Sequence, residues 1–146
     1  LQGGAIVWDK VNDGADQSGA EIAYCSLNER VDVVRYMWRG MMQGDGIGSM
    51  RQQGNKALNE RRIHPTQKPV KLYEWLLQQY ARPGMRILDT HLGSGSAAIA
   101  AHYYGVDFVG CEIDADYWRA ANERFEAETR QMALLSPNAI YTPPDV

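Results

Sequence analysis

Residues 89–98, with the sequence DTHLGSGSAA, combine residue types that bind nucleotide-like ligands. Gly93 and Gly95 flank Ser94, and Asp89 stands just before the loop. Glycine lets a backbone approach a ligand closely, and glycine-rich loops hold phosphates, dinucleotides or nucleosides. The alternative is that this Gly-Ser-Gly turn binds no ligand and only joins a strand to a helix. The residues around the loop must therefore indicate which ligand it takes.

The loop lacks the lysine that a P-loop needs. A P-loop places Lys and then Ser or Thr directly after its last glycine. Here Ser96 and Ala97 follow Gly95, so no side chain at that position can neutralise a β- or γ-phosphate. This excludes a P-loop nucleotide site.

The loop does match the dinucleotide fingerprint G-x-G-x-x-G/A, through Gly93, Gly95 and Ala98. Glu112 stands at the end of the next predicted strand, where a carboxylate would receive ribose hydroxyls. A nicotinamide-dependent oxidoreductase fragment is therefore one alternative.

The front of the loop favours a cationic nucleoside instead. Three residues separate Asp89 from the first glycine: Thr90, His91 and Leu92. In a dinucleotide-binding turn, the first glycine follows the strand almost directly. The carboxylate would repel a pyrophosphate, and no Arg or Lys lies in the loop. S-adenosylmethionine carries an ammonium, a sulfonium and a ribose, so charge complementarity favours this methyl donor over NAD.

The elements that position the loop predict an α/β unit over residues 63–130. The expected order is a helix opened by Pro69, a strand ending at Asp89, a helix over Ser96–Tyr104 closed by Gly105, a strand DFVGCEID, and a helix to about Arg130. Such an order implies a right-handed crossover and a parallel strand pair. Residues 131–146 are expected to form a non-helical tail.

The first part of the chain, residues 1–39, reads as strand-rich. Its β-like runs are Ala5–Trp8, Ile22–Cys25 and Val33–Trp38, separated by Gly-, Asp- and Asn-rich turns. Residues 40–62 lack a periodic apolar face and are expected to be a flexible loop. That loop is either a target-recognition segment that contacts DNA phosphates or a solvated linker; its basic residues are Arg51, Lys56, Arg61 and Arg62.

Composition places the chain among ordinary globular proteins. Its 146 residues suit a single domain, with 45% hydrophobic and 23% charged residues and a net charge of -3. No apolar run is long enough for a membrane span. Cys25 and Cys111 form no zinc pattern, so we expect packed, reduced thiols, no metal and a cytosolic setting. We expect all four tryptophans to pack: Trp8, Trp38, Trp75 and Trp118.

A second motif indicates a family. RIHPTQKPVKLYEWLL directly precedes ILDTHLGSGSAAIAA. This order resembles the β-type amino-methyltransferases of DNA adenine N6 or cytosine N4, whose H-P-T/A-x-K-P helix motif stands before D-P-F-x-G-S-G-T. DTHLGSGS with VGCEID is most similar to small phage and prophage methylases, and IVWDK resembles their central region. The resemblance covers Ile63–Phe125 closely. It implies an α/β, Rossmann-like S-adenosylmethionine-dependent methyltransferase fold, incomplete, with a mixed sheet and flanking helices.

The resemblance also implies roles for particular residues. Asp89 would lie beside the methionine ammonium, Glu112 would take the ribose hydroxyls, and His64 with Thr66 and Lys68 would hold the methionine end. The implied cofactor-binding set is His64, Thr66, Lys68, Asp89, Thr90, His91, Leu92, Gly93, Ser94, Gly95, Ser96, Glu112, Ile113 and Asp114. The chain departs from the family where Thr90 and His91 replace the more common Pro and Phe.

The acceptor half of the chemistry is missing from the sequence. The family flips the target base and holds it with (D/N/S)-P-P-(Y/F/W). Only TPPD, at 142–145, comes near, and it lacks the aromatic residue. We therefore expect an N-terminally truncated methyltransferase of a restriction-modification or phage setting. It would have no catalytic motif of its own. We expect double-stranded DNA as its partner, and we expect it to form a homodimer through uncovered apolar faces. A non-catalytic DNA-binding remnant is the further alternative.

Overall fold

The computed structural model describes residues 3–14 and 18–135, with side chains as far as residue 130. The chain divides into two compact units, Leu1–Arg61 and Arg62–Val146. Its length predicts one domain, but the described strands of the two units belong to separate sheets. The division falls one residue before the expected start of the α/β unit. The TPPD segment lies outside the described residues.

The first unit is built on a mixed three-stranded sheet. Its strands are β1 (Gly4–Asp9), β2 (Ala20–Cys25) and β3 (Val31–Arg35). β1 lies in the centre, antiparallel to β2 and parallel to β3. One face buries Trp8 and Val34, while the other carries four exposed apolar side chains: Ile22, Tyr24, Val31 and Val33. Strand alternation therefore buries only one face of this sheet.

The predicted strand Val33–Trp38 is broken in two, which corrects the sequence-based expectation. β3 ends early, and a separate strand β4 (Trp38–Arg39) pairs with β5 (Met42–Gln43). The Met37 carbonyl accepts a hydrogen bond of 2.8 Å from the Gly44 N–H. The Tyr36 and Trp38 N–H groups still donate to the Asp9 and Lys10 carbonyls, so the chain follows the end of β1 while it begins a second ladder, which alternation within one run cannot reveal.

Residues 40–62, expected to be irregular, contain local structure. β5 lies within them, and a 3-10 turn spans Lys56–Leu58. The buried Gln43 amide donates to the Glu60 carbonyl (2.9 Å) and accepts from the Glu60 N–H (2.8 Å). Because these bonds join residues 17 apart, glycine content and periodicity do not predict them.

The second unit has the predicted α/β order. Its elements are α1 (Val70–Tyr80), β6 (Arg86–Asp89), α2 (Ser96–Tyr104), β7 (Asp107–Gly110) and α3 (Ala115–Leu135). β6 and β7 pair in parallel, as the crossover rule requires. Gly105 ends α2 in the left-handed conformation (φ 82°), and Leu77 of α1 packs with Ala100 and Ala101 of α2. Helices on one side of a parallel pair thereby form this unit's core.

Four details of the second unit differ from the sequence-based expectations. β7 ends at Gly110, four residues before the end of the predicted strand DFVGCEID, because the chain turns where the Glu112 carboxylate accepts from the Asp114 N–H. α3 continues to Leu135, because helix-forming residues run on until Ser136 precedes a proline. Trp118 is 51% exposed, because it lies at an open cleft that Leu92 and Ala121 also line. Cys111 is an exposed free thiol, because it follows β7 on an open loop, whereas Cys25 is buried as expected.

Candidate cofactor site

The glycine loop joins the end of β6 to the start of α2. Gly93 (φ 54°) and Gly95 (φ 75°) both adopt the left-handed conformation, which side chains with a Cβ rarely tolerate. The Gly95 N–H donates to the Leu92 carbonyl at 3.0 Å, closing the turn. Leu92 is itself tied to the end of β7, because its N–H donates to the Cys111 carbonyl at 2.8 Å. The loop is therefore anchored to both parallel strands.

Glu112 connects the loop to the end of β7. Its Oε2 accepts from the Gly93 N–H at 2.8 Å, and its Oε1 accepts from the Asp114 N–H at 3.1 Å. The backbone N–H groups of Asp114 and Gly93 hold the pKa of the Glu112 carboxyl below its usual value, and the nearby His64 lowers it further. Glu112 is therefore an anion at neutral pH, placed against the glycine loop.

Asp89 organises the front of the loop. Its Oδ1 accepts from the His91 N–H at 2.9 Å, so the chain turns sharply after β6. The Thr90 hydroxyl lies 2.9 Å from the His91 Nδ1. Two carboxylates, Asp89 and Glu112, thus stand at the carboxyl ends of neighbouring parallel strands.

His64 lies next to Gly93. A Cβ built on Gly93 would be 3.8 Å from the His64 ring. The His64 Nδ1 is 3.3 Å from the Thr66 N–H and 3.1 Å from the Thr66 hydroxyl, and the ring contacts Tyr117 edge-on with 4.2 Å between centroids. The HPT motif is in this way brought to the glycine loop.

Three other predicted residues, Ile113, Lys68 and Asp114, have different surroundings from one another. Ile113 is fully exposed beside Glu112, and Lys68 is half-buried. Asp114 caps α3, with its Oδ1 accepting from the N–H groups of Asp116 (2.8 Å) and Tyr117 (3.0 Å). Its described contacts are therefore those of a helix cap.

Sequence reasoning missed three residues of this region. Gln67 is buried and accepts from the Ile63 N–H at 2.9 Å, which holds the HPTQKP turn. Tyr117 contacts His64, and the buried Arg124 donates from Nη1 to the Ser94 carbonyl (3.0 Å) and the Ser96 hydroxyl (2.9 Å). Arg124 is 30 residues from Ser94, so the loop's own sequence carries no signal of it.

The four basic residues of the predicted recognition segment are all exposed. Arg51, Lys56 and Arg61 belong to the first unit, and Arg62 begins the second. Ser49 orders the backbone at Arg51 by accepting from its N–H at 3.1 Å.

The arrangement suits a ligand that combines positive charge with hydroxyl donors. Carboxylates attract an ammonium or sulfonium and accept from ribose hydroxyls. Between residues 3 and 135, the described side chains include no group of three or more His, Cys, Asp or Glu that could hold a metal ion. Within the described part of the chain, every helix falls short of the length and apolar character of a membrane span.

A comparison with protein-family models identifies the family. The family model of the N6/N4 DNA methylases matches residues 7–123. The chain is a member of the N6/N4 DNA methylase family. The family inferred from the HPTQKP and DTHLGSGS motifs is therefore confirmed, and the match also includes most of the first unit.

Individual relatives match this chain over part of their length. YubD of Escherichia coli K12 is 34% identical over 84 residues, which are 58% of this chain and 37% of that protein. The type II methyltransferase M2.DpnII of Streptococcus pneumoniae is 38% identical over 65 residues, or 44% of this chain and 24% of that protein. The chain thus matches between 24% and 37% of the length of these curated relatives.

A solved structure shares the fold of this chain. The complex of M1.HpyAVI with S-adenosylmethionine has a TM-score of 0.54 and 21% identity, covering 82% of this chain and 60% of that one. The predicted fold class, the Rossmann-like fold of methyltransferases that use S-adenosylmethionine, is confirmed. The match extends over only part of the neighbour's chain.

The lowered pKa of Glu112 predicts a pH-dependent difference between the wild type and Glu112→Gln. A carboxyl with a depressed folded-state pKa contributes stability above its unfolded-state pKa, and that contribution is lost as pH falls through the folded-state value. We expect the wild type to have the higher Tm at pH 7, and the gap to close below pH 4.5, the carboxyl's usual value. Thermal unfolding across pH measures it. Glu123→Gln, an exposed change on α3, should show no such gap; a pH-independent gap for Glu112→Gln would contradict the assignment.

Proposed function

We propose that this chain binds S-adenosylmethionine at the glycine loop and supplies the cofactor-binding portion of a DNA methyltransferase that modifies adenine N6 or cytosine N4. The observation that carries the proposal is the pair of carboxylates, Asp89 and Glu112, at adjoining strand ends in a member of this family. A DNA substrate would place the protein in the cytoplasm of a bacterial or phage-infected cell.

The charge of the site supports the choice of this cofactor. Glu112 stays ionised at neutral pH and can accept ribose hydroxyls in addition to the N–H groups of Gly93 and Asp114, because a carboxylate offers about four lone-pair sites. Asp89 would face the methionine ammonium. The bound cofactor would supply an electrophilic methyl group, and this chain's residues would hold and orient it.

We propose that the other predicted residues complete the pocket. His64 and Thr66, which lie together beside Gly93, would hold the methionine end with Lys68. Ile113 offers an exposed apolar side chain for the adenine, next to Asp114. The rest of the proposed set is the loop itself: Thr90, His91, Leu92, Gly93, Ser94, Gly95 and Ser96.

The fingerprint of Gly93, Gly95 and Ala98 keeps a nicotinamide dinucleotide as the competing ligand. Two features argue against it. The carboxylate of Asp89 would repel a pyrophosphate, and the Gly93 N–H, which would otherwise donate to a phosphate, donates to Glu112.

Calorimetric titration of the 146-residue chain with S-adenosylmethionine and with NADH tests the ligand. We expect S-adenosylmethionine to give a heat of binding and NADH to give none. Asp89→Asn should lower the affinity for S-adenosylmethionine about 10-fold or more, because a charge-assisted contact to the ammonium is removed. Asp107→Asn, an exposed aspartate at the start of β7, serves as the matched control and should bind normally. If the chain binds NADH and does not bind S-adenosylmethionine, the proposal is overturned.

We propose that DNA contacts this chain through Arg51, Lys56, Arg61 and Arg62, all of which are exposed. The partner is double-stranded DNA, held through its phosphates. The base-binding tetrapeptide (D/N/S)-P-P-(Y/F/W) is absent from the sequence, so the chain alone would not position a target amine.

Incubating the purified chain with tritiated S-adenosylmethionine and duplex DNA tests both statements. We expect salt-sensitive retention of DNA on a filter, weakened when Arg51 and Lys56 are both changed to alanine, and no methyl transfer. The double change Lys71→Ala with Arg130→Ala, at exposed sites on α1 and α3, is the control for net charge. Tritium in the DNA would refute the expected inactivity, and retention unaffected by salt would refute the phosphate contacts.

We also propose a homodimer through the exposed face of the first unit's sheet. In register across the three strands, Ile22, Val7 and Val33 form one row, and Tyr24, Ala5 and Val31 form the next. Four of these six side chains are more than half exposed: Ile22, Tyr24, Val31 and Val33. Such an apolar face favours association.

Sedimentation velocity measures the association. We expect a dimer that Val33→Lys converts to a monomer, because a charge would then be buried in the interface. Val109→Lys, at an equally exposed strand position of the second unit, should leave the dimer intact. A wild type that remains monomeric at high concentration contradicts the proposal.

A further inference from the structure

A buried arginine lies against the inner side of the glycine loop. Arg124, on α3, is 9% exposed, and its Nη1 donates to the Ser94 carbonyl at 3.0 Å and to the Ser96 hydroxyl at 2.9 Å. The two serine hydroxyls lie 3.1 Å apart, and both residues are buried. The loop therefore has a polar underside as well as an outer ligand side.

Burying the charged guanidinium of Arg124 costs free energy, whereas burying an apolar side chain at this position would not. Removing a guanidinium from water is unfavourable unless good hydrogen bonds replace its hydration. One of the acceptors here is a backbone carbonyl of the loop that we propose to hold the cofactor. The hydrogen bond from Arg124 to this carbonyl therefore stabilises one conformation of the loop.

The bond to Ser94 completes a set that fixes the loop's peptide groups. Arg124 holds the Ser94 carbonyl, and the Leu92 carbonyl holds the Gly95 N–H at 3.0 Å, so the peptide group between Ser94 and Gly95 is held at both ends. Glu112 holds the Gly93 N–H at 2.8 Å. Each of these groups would otherwise need ordering when a ligand binds.

α3 supports the same loop at a second point. A Cβ added to Gly95 would lie 3.3 Å from both the Cβ and the carbonyl oxygen of Ala121, which precedes Arg124 by about one helical turn. Ala121 sets how closely α3 approaches, and Arg124 sets how the peptide groups are turned. Together they fix the inner side of the loop against α3.

We propose that Arg124 is a positioning residue for cofactor binding: it preorganises the Gly93–Ser96 backbone by holding the Ser94 carbonyl and the Ser96 hydroxyl. The inference rests on the proposed function, in which this loop holds S-adenosylmethionine. A loop already held in its binding conformation loses less conformational freedom on binding, so the affinity is higher.

The test compares Arg124→Met and Arg124→Lys with the wild type, using Arg119→Met and Arg119→Lys as matched controls. Arg119 lies on the same helix but is exposed and paired with Asp116 at 3.0 Å. Calorimetry gives the S-adenosylmethionine affinity, and amide hydrogen exchange gives the order of the loop and, separately, of α1.

We expect Arg124→Met to weaken S-adenosylmethionine binding about 10-fold, the change expected when the backbone of about one loop residue must be ordered on binding. Arg124→Lys should restore part of the affinity, because an ammonium can reach one acceptor but lacks the planar fork. Exchange at the Gly93, Ser94, Gly95 and Ser96 amides should accelerate while that of α1 does not change. Both Arg119 variants should match the wild type.

Two results would overturn the proposal. One is wild-type affinity in Arg124→Met with unchanged exchange at the loop amides. The other is an equal acceleration of exchange in the loop and α1, which marks general destabilisation. If Arg124→Met does not fold, the same criteria apply to Arg124→Lys. If the wild type binds no S-adenosylmethionine, the proposed function fails, and the exchange comparison alone decides whether Arg124 orders the loop.

Discussion

The hydrogen bond between the Glu112 carboxylate and the Gly93 N–H is the interaction on which the candidate site depends. It joins the end of β7 to the loop that follows β6, so the two strand ends and the start of α2 form one structure. The bond requires the strands to be parallel and adjacent, because only then do their carboxyl ends meet. It also requires left-handed backbone at Gly93, which explains the glycine there.

Charge is distributed unequally around this loop. Carboxylates stand at the strand ends, while the guanidinium of Arg124 lies beneath, directed to the Ser94 carbonyl. The loop sequence contains no cation, yet the folded loop is in contact with one. Because its Nη1 is engaged on the inner side, the outer side keeps the acidic character that supports a cationic methyl donor in our proposal.

Local patterns predicted most of the second unit. The small residues after the glycine loop and the glycine at 105 predicted α2 with the bounds that the structure has. The family was inferred from two ordered motifs and confirmed over residues 7–123. The patterns failed where a distant segment decided the outcome. Examples are the chain after β3, where β4 pairs with β5, and Trp118, which is half exposed on α3. The roles of the individual site residues stay predictions.

The order of the amino acids alone specified which residues could do chemistry, because residue types and their spacing near a strand end are local properties. It indicated Asp89, the glycines and Glu112, and it indicated the family. Only the tertiary structure decided how these residues meet. His64 reaches Gly93, and Arg124 reaches Ser94 across 30 residues. Contacts of this kind depend on how helices pack on a sheet, and no sequence period records the partner of a single buried side chain.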